Sequence, residues 1–513
     1  MIVSASVNGV RVPASRMLQD VSAEKCEITL SFSREVSIDP FSLSRVQFSG
    51  GDLDARIGED PCDIVFSPLN GLSPNRKYKF TILAGESFGV NILEAYSLEF
   101  TTTIDNTDKF PRIPTEELLT KVQQQTFKYF WDYAHPVSGL ARERLGSDNT
   151  VTTGGSGFGI MTIPVAVERG FITREEGAER LRKIVTFLST KADRFHGAFS
   201  HWLDGSTGKA LPFSAKDNGG DLVETAFLIE GLLTAAQYFD AASEADIRSG
   251  IDAIWRAVEW DWYTRDGQDV LYWHWSPDQG WAMNMKITGW NEALIVYVLA
   301  ASSPTHAVSK TVYDKGWARS GGIRSGKKFY GITLPLGSDY GGPLFFTHYS
   351  FLGLDPHGLK DAWCDSYWEQ NVAHARINHA YCVANPGKHA GYSDVCWGLT
   401  ASDIPNGYTA SSPTNDKGVI APTAALASFP YTPEESLKAL EYFYYKLGDK
   451  LWGSYGFYDA FCLDKAWFAS SYIAIDQGPI VVMIENYRSG LLWELFMQHT
   501  DVTAGLSALG FSR

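Results

Sequence analysis

The feature that most constrains this chain is a change of hydrophobic period near residue 104. Before it, apolar and polar residues alternate in CEITLSFS, KYKFTIL and YSLEFTTT, with turn signals SGGD and LSPNRK between them. Alternation sends successive side chains to opposite faces of a strand. About 100 residues of short strands, with almost no helical periodicity, point to a β-sandwich of immunoglobulin type. A polar linker, TIDNTDKFPRIP, follows. From Thr115 the apolar spacing becomes helical, as in TEELLTKVQQQTFKYFWDYA. The predicted organisation is therefore a sandwich over 1–104, a linker over 105–114 and a helical domain over 115–513.

Within the helical part, Thr173 and Glu176 form a capping-box pair ahead of REEGAERLRKIVTFL. Thr432, Pro433, Glu435 and Gly448 supply the start and stop of another helix. Further helices are predicted near 157–169, 221–239, 243–258, 290–302, 357–376, 420–429, 471–482 and 484–498. HGAFSHWLDGSTGKALPFS and DGQDVLYWHWSPDQGW read as hairpins with Asp204-Gly205 and Asp266-Gly267 at their turns. Loops this long in a helical domain are usually functional. The Gly-rich GGSGFG lacks the strand–helix frame of a dinucleotide site and reads as a tight turn.

One stretch poses a sharper question. In DNGGDLVETAFLIEGLL, residues 217–233, an apolar helix begins among Asp217, Asp221 and Glu224. Acids complement the positive end of a helix, and Asp221 with Glu224 has capping-box spacing. The alternative is that these carboxyl groups do chemistry.

Charge and composition narrow the partners. With 44 Lys+Arg against 59 Asp+Glu, the net charge is −15 and no basic stripe stands out, which disfavours nucleic acid and anionic polymers. No run of 18 apolar residues indicates a membrane span, and MIVSASVNGV lacks the pattern of a signal peptide. Cys26, Cys62, Cys364, Cys382, Cys396 and Cys462 contain no CxxC pair. Disulfides Cys26–Cys62 or Cys382–Cys396 and buried thiols are both compatible with the spacing. His374 and His379 are five apart, so no HExxH zinc site exists, and no GxSxG or phosphate-loop motif is present. Aromatic content is high, at 13% with 16 Trp and 24 Tyr. Trp and Tyr combine an apolar face with a polar edge, which suits stacking on sugar rings.

The loops and helix starts join carboxylates to aromatic rings and amides, in the order GLARER, TTGGSGFG, GGDLVET, WNEALIVY, HYSF, WGLTASD, GSYGFYDAF and IDQGPIVVMIENYRSGLLW. These motifs, spread over about residues 115–500, resemble the bacterial glycoamylase-like family, which includes the β-1,2-glucanases of glycoside hydrolase family 144. The N-terminal part resembles bacterial Ig-like modules. The resemblance implies an (α/α)6 toroid, inverting hydrolysis of a β-1,2-glucan, no cofactor and no metal. It also implies export to the periplasm or cell surface. An inverting glycosidase needs one carboxyl group as acid and another as base. Glu224, in the intact GGDLVETAF motif, is the expected acid. Asp403, in WGLTASDIPNGY, is the expected base, lying in a loop that water can reach. Sugar contacts are expected from Asp148, Phe158, Trp202, Asp221, Trp290, Glu292, His348, Tyr349, Trp397, Tyr408, Asp459, Trp467 and Asp476. The expected partner is a poly- or oligosaccharide. An exo-acting glucoamylase on α-glucan, a lyase on an acidic sugar and a non-catalytic carbohydrate-binding protein are the alternatives; the abundance of acids argues against the lyase.

Overall fold

The structure is a computed structural model describing residues 1–513. It divides into two compact units. The first comprises Met1–Asp108 with the short segments Lys388–Gly391 and Phe461–Phe468; the second holds the remainder.

The first unit carries two larger sheets around a shared core, with a two-stranded ribbon, Gly85–Ser87 against Val90–Ile92, packed on it. One runs Val10–Arg11, Ile2–Val7, Ile28–Phe32, Asp63–Pro68, Leu53–Ile57 in spatial order, all antiparallel. The other runs Met17–Val21, Tyr96–Thr102, Lys77–Ile82, Val46–Phe48, with only the first pair parallel. The alternation has the physical consequence read from sequence. Ile28, Leu30 and Phe32 are buried while Thr29 and Ser31 between them are not. Phe66 of one sheet meets Phe80 of the other at 5.0 Å. Each such side chain contributes about 1.5–3 kcal/mol when fully buried.

The second unit is mainly helical, with small two- and three-stranded ribbons between helices. No helix is long and apolar enough to cross a membrane. The capping box at Thr173 forms as read, with both reciprocal bonds present. Several elements differ from the sequence reading; the helix opened by Thr432 is α-helical only over Pro433–Glu441, and Gly448, expected as its stop, opens the short helix Gly448–Leu451 instead. The helix expected near 357–376 is Tyr367–Ala384, because Ser366 accepts the Glu369 N–H and Asn385 ends it in the left-handed conformation. The helix break expected near 483 falls at Gly490, where φ is 75°, so Ala474–Arg488 is continuous. The second expected hairpin is replaced by a longer-range pairing, since His274–Trp275 pairs with Gly220–Asp221. The first hairpin forms, Trp202–Asp204 against Ala210–Leu211, with Thr150–Thr152 added on its other side. All six cysteines are unpaired thiols.

The GGSGFG turn is also corrected. It lies inside a helix, Thr153–Glu168, buried from Thr153 to Ala166. Its glycines serve close packing. A Cβ on Gly157 would meet the Phe227 carbonyl oxygen at 2.1 Å, and one on Gly231 would meet the Gly157 carbonyl oxygen at 2.1 Å. Thus Thr153–Glu168 and Leu222–Tyr238 touch backbone to backbone, which brings the start of each against the start of the other. We expect Gly157→Ala to destabilise the protein by about 3 kcal/mol or more, because neither backbone can give way. Gly71→Ala, where no atom lies within 4 Å, is expected within about 0.5 kcal/mol of the parent. Denaturant unfolding of both variants checks this.

Candidate active site

A cavity of about 370 Å³ opens in the second unit, a volume suited to a small ligand. Trp202, Phe213, Trp273 and Tyr408 give it aromatic walls, and Glu143, Glu224 and Glu292 bring carboxyl groups to it.

The crowded helix start at Asp217–Glu224 forms one side. Asp221 is the N-cap of Leu222–Tyr238: its Oδ1 accepts the N–H groups of Val223 and Glu224, both at 3.0 Å. Glu224 does not complete a capping box. Its side chain turns away, and Oε2 accepts the Gly154 N–H at 2.8 Å, with the Thr152 hydroxyl at 3.4 Å. That contact exists because the glycine-rich helix packs so closely. The other oxygen, Oε1, lies 4.0 Å from His201 Nε2. His201 Nδ1 is 3.1 Å from Asp221 Oδ2, and His274 Nε2 is 3.4 Å from Asp217 and 3.8 Å from Asp221.

Charge is shared unequally in this network. Burial pushes Glu224 up to about 7, with His201 pulling against it and Asp221 reinforcing it. Burial raises Asp217 to about 7, helped by the Asp221 carboxylate. Burial also opposes ionisation of Asp221, but His201, His274 and the helix N–H groups outweigh it and hold Asp221 below the usual range. His201 feels the reverse balance: burial would lower it, yet Glu224 and Asp221 raise it to about 9. Glu292 reaches about 7 chiefly through burial, with the charges of Glu224 and Asp221 adding to the effect. Unlike Glu224 it has no cation beside it. Atoms of His201, Asp217 and Asp221 lie within 4.8 Å of one another, close enough to hold a cation. His201 and Asp221 already bond to each other there, and Asp217 faces His274.

A second carboxylate cluster lies around Asp403. Asp403 sits on a hairpin strand, Ala401–Ile404, opposite Tyr408. Arg144 bridges it at 3.1 Å to Glu143 at 2.9 Å. Ser471 Oγ donates to Asp403 Oδ2 at 2.5 Å, and the Asp403 N–H donates to Asp459 Oδ2 at 2.7 Å. Burial raises Asp459 to about 7, the Asp403 N–H opposing and the Asp403 charge adding. Burial, and then Asp459, drive Asp476 well above its ordinary value. Tyr349, which lines the cavity, donates to Asp476 at 3.4 Å.

The sequence and fold have close counterparts. A family model described as "Glycoamylase: Putative glucoamylase" matches residues 284–500. A solved "putative glucoamylase" from Bacteroides uniformis is 59% identical; the match covers 79% of this chain and 99% of that one, with a TM-score of 0.77. The chain belongs to the glycoamylase-like family. A solved endo-β-1,2-glucanase from Chitinophaga pinensis, crystallised with sophorotriose and glucose, is 54% identical over 78% of this chain and 99% of that one, with a TM-score of 0.76. An exo-β-1,2-glucooligosaccharide sophorohydrolase from Parabacteroides distasonis is 50% identical over 418 residues, 77% of this chain. The chain spans 58% of that relative's length.

In this member of the family, the residues expected at the site divide into three groups. Glu224, Glu292, Trp202, Tyr349 and Tyr408 line the cavity. Asp221, Asp459 and Asp476 stand behind the wall, buried and bonded to residues nearer the cavity. Asp403 belongs with them, its oxygens taken by Arg144 and Ser471, so it is not the open loop carboxylate the sequence suggested. The rest lie elsewhere. Phe158 is fully buried, packed on Phe227 at 5.1 Å and Tyr349 at 5.0 Å. His348 is buried with Nε2 3.0 Å from Ser428 Oγ, and burial drops it to about 3. The Trp397 indole donates to the Glu435 carbonyl from the core. Trp290 packs among Trp317, Phe351 and Tyr367. Large rings fill cores unless geometry brings them to a surface. Asp148 is exposed at a left-handed turn, φ 51°, where its carbonyl holds Arg142. Trp467 is on a short strand paired with Cys462, in a segment grouped with the first unit. The sequence reading missed His201, Glu143, Arg144, Phe213 and Trp273 at the cavity. Arg144 meets Asp403 across 259 positions, a separation with no local signature.

The Glu292 shift makes a prediction about stability. Its folded-state value, about 7, exceeds the ordinary 4.5. The stabilisation is therefore complete below the unfolded value and is lost as pH rises through the folded one. Glu292→Gln removes this dependence. Relative to the parent, the variant is expected to gain roughly 2–3 kcal/mol between pH 4 and pH 8. Denaturant unfolding at both pH values measures it; a constant difference would contradict the assignment.

Proposed function

We propose that the protein is an inverting glycoside hydrolase acting on a neutral β-glucan, β-1,2-glucan or its oligosaccharides, with its helices paired as an (α/α)6 toroid. The observation that carries this reading is one cavity joining aromatic walls to two carboxyl groups, Glu224 and Glu292, that hold protons near neutral pH. A glycosidase acid must stay protonated at working pH, and burial is the usual means. The names borne by the relatives from Chitinophaga pinensis and Parabacteroides distasonis supply the linkage.

Within the pair, Glu292 is the better proton donor. Glu224 has the Gly154 N–H and the His201 imidazole to stabilise its anion. Glu292 has no such cation, only its own backbone N–H opposing the rise, so we assign it the proton that passes to the glycosidic oxygen. Glu224, expected from sequence as the acid, then stands beside it as a second buried carboxyl, whose charge on ionising adds to the rise at Glu292. Asp403, expected as the base, belongs to the second cluster, and we assign the base function to that cluster. There Asp459 and Asp476 lie against each other, and burial with that contact holds Asp476 well above its ordinary value, so Asp403, ion-paired with Arg144, is the member to which we give the base role. In an inverting reaction the acid protonates the departing oxygen while the base takes a proton from the attacking water.

The "putative glucoamylase" relatives favour α-glucan as the second reading. Incubation with linear β-1,2-glucan, starch, laminarin and a uronate polymer separates the readings. Short β-1,2-oligosaccharides are expected, and their lengths distinguish exo from endo attack; glucose from starch alone would replace the substrate. On the cleaved glucan, Glu292→Gln is expected to lower kcat by about 10²–10⁴-fold. If Glu224→Gln falls that far and Glu292→Gln does not, the two carboxyl roles are exchanged.

A further inference from the structure

Trp262 lies outside the cavity and is 40% exposed, unusually open for a side chain with so much apolar surface. It is not loosely held. One face of its indole stacks on His196, with centroids 3.7 Å apart and planes 13° from parallel. His196 is itself fixed, its Nδ1 2.9 Å from Glu259 Oε2 and its ring edge-on to Trp275 at 5.1 Å. Trp275 and Trp281 flank Trp262 at 6.3 and 6.4 Å.

The backbone that presents these rings is costly. His196, Arg265 and Asp266 all adopt left-handed conformations, with φ of 52°, 51° and 63°. Such residues cost of order 1–3 kcal/mol each and cluster at ligand sites. A ring stacked on one side and still 40% exposed offers the flat apolar surface that stacking on a pyranose requires. The platform is continuous with the cavity along the chain. Trp273 lines the cavity, and Trp275, two residues on, packs against Trp262 and His196.

We propose that Trp262, backed by His196 and flanked by Trp275 and Trp281, is an accessory stacking site for a neutral glucan chain extending beyond the cavity. This rests on the glucan-hydrolase reading. The site holds long substrates and leaves the chemistry on short ones unchanged.

The test compares a long β-1,2-glucan with a short β-1,2-oligosaccharide as substrates for the parent, Trp262→Ala, Trp262→Phe and His196→Gln. Trp262→Ala is expected to raise KM for the polymer by about fivefold or more, with kcat unchanged and the short substrate within twofold. Trp262→Phe, which keeps a flat ring, should recover part of the loss, and His196→Gln should reproduce part of it. Equal losses on long and short substrates, or an unchanged polymer KM in a folded Trp262→Ala protein, would overturn the proposal. Electrophoresis through gels containing β-1,2-glucan, laminarin or starch provides a readout independent of turnover. Retardation of the parent that Trp262→Ala abolishes supports the site even if no β-1,2-glucan is cleaved. Identical mobility of the two proteins in every gel overturns it, whatever the outcome for the reaction.

Discussion

The rest of the site depends on the burial of several carboxyl groups at one helix start. Taking a charge out of water costs several kcal/mol unless it is paired or neutralised. The protein uses both solutions within a few residues. Asp221 remains charged because two backbone N–H groups and two imidazoles surround it. Glu224 and Asp217 are pushed toward the protonated form instead. Without Asp221, His201 would keep the attraction of Glu224 but lose its hydrogen-bonded carboxylate, and the balance at Glu224 would change with it.

That arrangement requires close backbone packing. Gly154 can donate to Glu224 only because the helix Thr153–Glu168 approaches Leu222–Tyr238 with no side chain between them at Gly157 and Gly231. A packing constraint thereby becomes an electrostatic one: the same contact that joins two helices gives Glu224 an acceptor geometry that favours its anion. Glu292 has its own backbone N–H in that role but no imidazole beside it, and this asymmetry separates two acids of similar burial.

The second cluster follows a different logic. Arg144 pairs with both Glu143 and Asp403, while burial raises Asp459 and Asp476, the contact between them adding to the rise at Asp476. Tyr349 adjoins both clusters, donating to Asp476 and feeling the charges of Glu292 and Glu224. The tyrosine is also part of the cavity wall, with Glu224 and Glu292.

Much of this was determined by sequence alone. Period and capping residues fixed the strand-to-helix transition, the Thr173 capping box and the Asp221 N-cap, because these depend on neighbours a few positions away. The motif order marked Glu224, Glu292 and Tyr408 as site residues. The failures were of another kind. GGSGFG has the composition of a turn, and only the approach of a second helix makes it a packing surface. Trp290, Trp397, His348 and Phe158 have the chemistry of sugar contacts, but whether a ring faces a core or a cavity depends on what lies across from it. His201 and Arg144 gain their meaning from Asp221, Glu224 and Asp403, which reach them from distant parts of the chain. Sequence determined which groups could carry charge; tertiary structure decided which would keep it, because that choice depends on burial and on partners brought together only by folding.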